Sequence, residues 1–77
     1  MAKPPGHVLE AVVAEYEYAT SKHQKYNSPH EGYAVILEEL DELWDEIKAD
    51  SPMSAREECI QVAATAIRFL VDLYENG

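Results

Sequence analysis

Ser28–Lys48 reads SPHEGYAVILEELDELWDEIK, and this stretch decides the fold. Ser28 suits a helix N-cap, Pro29 suits the first helical position because it lacks the N–H that would be orphaned there, and Glu31 stands three residues after the cap. That spacing is a capping box, in which cap and third helical residue satisfy each other's backbone N–H groups. Behind it, Tyr33, Ile36, Leu37, Leu40, Leu43, Trp44 and Ile47 recur at helical period and fall within about 60° of Leu40 on a helical projection. No period-2 alternation competes, so the spacing predicts a helix to about Ala49, with Trp44 and Leu40 buried together against a neighbouring helix.

The same logic extends both ways. Upstream, Val8, Leu9, Val12, Val13, Tyr16 and Ala19 form a stripe that predicts a helix from His7 to about His23, after a loose lead-in over Met1–Gly6. Gln24–Asn27 reads as a loop. Downstream, Asp50-Ser51-Pro52 stops the central helix, Ser54 with Glu57 repeats the capping-box pattern, and a third helix is expected from about Ala55 to Tyr74. Its apolar residues, from Cys59 and Ile60 to Leu73 and Tyr74, cover well over half of the circumference. Only a strip of Glu57, Glu58, Gln61, Thr65, Arg68 and Asp72 is polar. A surface helix needs an apolar stripe of only about 100°, so this helix is expected at the centre of a bundle or at a subunit interface, with Cys59 as a buried, inert thiol.

The reading is therefore all-α: a three-helix chain, one domain over residues 1–77, whose helical bundle is completed by oligomerisation. A chain of 77 residues buries only about 60% of its unfolded surface, and small domains lean on disulfides, metals or further subunits. Cys59 is the one cysteine, which rules out a disulfide within the chain. With no signal peptide at the start, it points to a reducing, cytoplasmic setting. Fifteen Asp and Glu against six Lys and Arg give a net charge of −9, which opposes nucleic acid and anionic membranes as partners. No apolar run approaches the roughly 18 residues of a membrane span.

The carboxylates carry the chemistry. Glu39 and Glu42 are three apart on the central helix, with Cβ atoms about 5–6 Å from each other. They lie roughly 100° and 160° from the centre of the apolar stripe, so they can line a groove closed by the first helix or by another subunit. Their mutual repulsion is relieved by a hard dication, and magnesium takes a few carboxylates, water and substrate phosphates as its ligands. A solvated acidic face, with Glu57 and Glu58 favoured by the helix dipole, accounts for the same residues without a metal.

Two segments carry a family resemblance. Glu31–Glu46, with Glu38-Glu39-Leu40-Asp41-Glu42 at its centre, and Arg56–Val62, with Glu58-Cys59-Ile60-Gln61, resemble the E-E-x-x-E and E-x-x-D motifs of MazG-like proteins. The resemblance extends over about residues 29 to 72. It implies an all-α enzyme that hydrolyses a nucleoside triphosphate to the monophosphate and pyrophosphate with magnesium, or with manganese in its place. It implies Glu39, Glu42 and Glu58 as metal ligands with Gln61 as a weak fourth, Glu38 as the residue that helps activate the attacking water, and Lys22, Lys25 and Arg68 as phosphate contacts. Arg68 has alternative partners in Asp72, four residues on, and Glu42. Gln61 stands where the family carries Asp, and offers a carbonyl oxygen without charge. The chain stops at Gly77 where members commonly continue into further helix, so a homodimer or tetramer is expected to complete the bundle. A non-catalytic acidic helical oligomerisation and interaction module, whose acidic face binds a basic partner, is the alternative.

Overall fold

The computed structural model describes residues 2–75 and contains three helices: α1 (Gly6–Lys22), α2 (Pro29–Lys48) and α3 (Pro52–Leu70). A π-helical turn over Val71–Glu75 continues α3. No strand occurs among the described residues. The lead-in covers Ala2–Pro5, with Gly6 already helical; Met1, and the chain end at Asn76 and Gly77, lie outside the described residues.

Local chemistry accounts for each boundary. Ser28 is extended (φ −159°, ψ 161°), and its hydroxyl accepts the Glu31 N–H at 3.1 Å. The Glu31 carboxylate reaches one residue further back than a capping box requires and accepts the Asn27 N–H at 2.6 Å. At the other end of α2, Asp50 adopts the left-handed conformation (φ 56°). Its N–H bonds the Ile47 carbonyl and the Ser51 N–H bonds the Glu46 carbonyl, both at 3.1 Å. This is a Schellman closure with aspartate where glycine is the usual residue. α3 then starts at Pro52, not near Ala55 as the Ser54/Glu57 spacing suggested. Proline at the first helical position needs no N–H partner, and the Ser51 carbonyl already accepts the Ala55 N–H at 2.9 Å. Ser54 therefore falls inside the first turn.

α3 is the central helix, packed against both α2 and α1. Part of its polar strip faces inward. Ala64, Thr65 and Arg68 are buried, at 1%, 7% and 4% exposure, whereas Leu70 is exposed. Cys59, expected inside, is an exposed free thiol. The expectation that Leu40 and Trp44 pack together against α1 or α3 also fails, since both lie open on the outer side of α2. α2 divides its apolar stripe: Ile36 and Leu43 are half-buried, while Tyr33, Leu37, Leu40, Trp44 and Ile47 are exposed. Gly32 permits the contact with α3, because a Cβ there would meet the Phe69 ring at 2.5 Å and the Tyr26 ring at 3.2 Å. Three short helices with one in the middle leave every other helix an uncovered side, and among the described residues no large side chain is fully buried. No helix is long and apolar enough to cross a membrane among the described residues.

Candidate functional site

The inward polar strip of α3 borders a cavity of about 420 Å³. α1 contributes Glu15 and Ala19, the connecting loop contributes His23 to Asn27, α2 contributes Glu31, Val35, Glu38 and Glu39, and α3 contributes Gln61, Ala64, Thr65 and Arg68. One end is acidic, the other cationic and aromatic.

At the acidic end, Glu38, Glu39 and Glu42 each bring a carboxylate oxygen within 4.8 Å of the others. Glu38 and Glu42 are exposed and Glu39 is half-buried. The Oε2 atoms of Glu39 and Glu58 are buried without a hydrogen-bond partner. A buried carboxylate with no donor is penalised in its charged form. Burial accordingly pushes Glu39 up to about 7, and the like charges of Glu42, Glu58, Glu38 and Glu15 act in the same direction. Burial raises Glu58 too, followed by the adjoining Glu42 carboxyl and then by Glu46 and Glu57.

At the other end, the Arg68 guanidinium lies 4.5 Å from the centre of the Tyr26 ring and donates from Nη2 to the Gln24 carbonyl at 3.1 Å. Its Nε is buried with no partner. Neither of the carboxylates anticipated for it, Asp72 or Glu42, forms an ion pair with it. The ion pairs among the described residues are Lys48–Asp45 and Arg56–Glu57, both exposed. Asp72 instead accepts the Tyr26 N–H at 3.2 Å from the π-helical turn and so fixes the loop. The Tyr26 hydroxyl is buried and unpartnered, and burial holds its pKa above the ordinary value against the lowering effect of Arg68.

Of the residues singled out from sequence, Glu38, Glu39, Gln61, Lys25 and Arg68 meet at this cavity. Glu42 joins the carboxylate group, and Glu58 stands beside Glu42 rather than at the cavity wall. Glu38, assigned by resemblance to the attacking water, sits within the carboxylate group itself. Lys22 is not a cavity residue; its Nζ lies 5.5 Å from the Tyr18 ring centre. Sequence reasoning missed Tyr26 and Thr65. The available signal for Tyr26 was a lone aromatic in the polar run Gln24-Lys25-Tyr26-Asn27. Comparisons against protein-family models, curated proteins and solved structures found no match.

Proposed function

We propose that the chain is a MazG-like, magnesium-dependent nucleotide pyrophosphohydrolase that converts a nucleoside triphosphate to the monophosphate and pyrophosphate. The observation that carries this reading is a single cavity with unsatisfied groups of opposite sign at its two ends: the Glu39 carboxylate, backed by Glu58, and the Arg68 guanidinium. A buried charge without a counter-ion costs several kcal/mol. An anion held beside a dication answers both deficits at once.

The donor set suits magnesium: oxygen atoms only, from Glu39, Glu42 and Glu58, with the Gln61 carbonyl adding no charge and Glu38 close enough to join. When bound, the metal supplies charge neutralisation of the triphosphate and a lowered pKa for water. The chain's own residues do the rest. Glu38, exposed at the cavity mouth, accepts the proton of the attacking water. Arg68 supplies positive charge for the phosphates at its end of the cavity, and Tyr26 stacked on the guanidinium holds it in place. Lys25 adds a second positive charge on the same wall. Water adds at the α-phosphorus as the α–β phosphoanhydride breaks, and pyrophosphate leaves.

Pyrophosphate release from a panel of nucleoside triphosphates, with magnesium or manganese, tests the reading in wild type, Glu39→Gln and Arg68→Met. Metal-dependent release, lost in both variants, is expected. No release from any triphosphate, together with no magnesium effect on melting temperature, overturns it and leaves the non-catalytic acidic module, a reading favoured by the neutral amide of Gln61.

A further inference from the structure

We infer that the outer face of α2 is a self-association seam through which two copies of this chain pair. Tyr33, Leu37, Leu40, Trp44 and Ile47 follow each other at intervals of four, three, four and three residues, and each is between 40% and 63% exposed. That alternation is the a/d repeat of a coiled-coil seam, whose side chains interlock with a facing helix. α2 carries a second row of the same spacing one residue earlier, Gly32, Ile36, Glu39, Leu43 and Glu46. This row is buried or half-buried, and Gly32 admits the α3 ring of Phe69. One row is used within the chain; its neighbour, about 20 Å long, carries only the Lys48 ammonium, 5.7 Å from the centre of the Trp44 ring.

Area and the uncharged character of the row favour a second copy as its occupant. The chain exposes 5708 Å² at a mass of 8.7 kDa, whereas a folded monomer of that mass exposes about 4,700 Å². The surplus, about 1,000 Å² over the whole chain, leaves room for the roughly 800 Å² per partner of a standard interface. The row contains no charged residue, and Glu38 and Glu42 lie about 140–180° around the helix from it, so these two carboxylates, within a net charge of −9, are turned away from the partner copy. The same net charge disfavours an anionic membrane on this face. α3 was the other candidate interface, but its outer row of Cys59, Ala63, Ala66 and Leu70 consists largely of small residues, which bury less area.

This inference stands independently of the hydrolase reading, because the seam and the cavity are on opposite sides of α2. The test is light scattering of the full chain from low micromolar to high micromolar concentration, with Trp44, the one tryptophan, as an internal reporter. Wild type is expected at twice the chain mass or more, with Trp44 emission blue-shifted and moving to the red as dilution halves the mass. Leu40→Glu/Trp44→Glu is expected to run as a monomer, while Ala66→Glu on α3 stays associated. Three results overturn the proposal: a wild type monomeric throughout, a seam variant that keeps the wild-type mass, or an assembled wild type whose Trp44 emission remains water-like. The fluorescence arm decides the matter even where the double variant fails to fold.

Discussion

Replacing Glu39 by glutamine is expected to stabilise the metal-free protein above neutral pH. The carboxyl rises from 4.5 to about 7, so the folded chain binds a proton there that the unfolded chain has released. Between those two values the folded state holds more protons, and stability must fall as pH rises. Its contribution is fully present below about pH 4.5 and lost above about pH 7. At about 1.36 kcal/mol per pH unit the ceiling is roughly 3.4 kcal/mol. Glu39 is only half-buried, and water screens its like-charged neighbours, which brings the expected effect to about 1–2 kcal/mol. For a domain this small each kcal/mol moves the melting temperature by about 4–8 °C. The assay is thermal unfolding of wild type and Glu39→Gln in a chelator, at about pH 5 and about pH 8. The variant should melt higher at the upper pH, with the gap closing at the lower one. A gap that is absent at the upper pH, or of opposite sign, refutes the argument that Glu39 is buried against its own charge.

Three further substitutions probe separate links. Asp50→Gly should raise stability by about 0.5–1 kcal/mol, because glycine adopts the left-handed closure of α2 without a Cβ penalty; a lower melting temperature would show that the Asp50 side chain contributes more than it costs. Gly32→Ala should destabilise by about 1–3 kcal/mol despite alanine's better helix propensity, since the new methyl must displace the Phe69 ring; unchanged stability in urea unfolding would mean that the ring moves aside freely. Gln61→Asp should tighten magnesium binding by titration calorimetry, as hard dications respond to ligand charge; a variant that is destabilised and unresponsive to magnesium speaks against a metal at this cavity.

The helices were legible because their signals are local. The Ser28 cap, the Pro29 start and the stop at Asp50-Ser51 depend on neighbours within five residues, whereas the α3 start was placed near Ala55 and not at Pro52 because Ser54 and Glu57 imitate a capping box. Which side of a helix faces inward is not local. The polar strip of α3 could be read as a strip, but periodicity does not say whether Thr65 and Arg68 face solvent or a neighbouring helix, and burial won. Trp44 and Leu40 belong to a true apolar stripe that the chain lacks the mass to cover. Within the site, Glu39, Gln61 and Arg68 were recoverable from spacing and resemblance. The Tyr26–Arg68 stack joins residues 42 apart in sequence through a loop, and no helical pattern encodes it.

The two deficits of the isolated chain, unpaired charge at the cavity and uncovered apolar surface on α2, have different remedies. A ligand that binds only the folded state stabilises it as RT ln(1 + [L]/Kd), and a partner copy acts by the same mass action through protein concentration. The cavity carboxylates and the seam lie across the roughly 10 Å width of one helix, and no side chain is shared between them. Sites so separated usually contribute additively, within about 0.5 kcal/mol. The stabilisation from saturating magnesium should therefore be the same in dilute and concentrated wild type, while the melting temperature without metal climbs with concentration. Calorimetric scans across both variables measure the two increments. If the magnesium increment depends strongly on concentration, α2 does not act as a rigid divider, and the seam and the carboxylate group belong to one coupled unit.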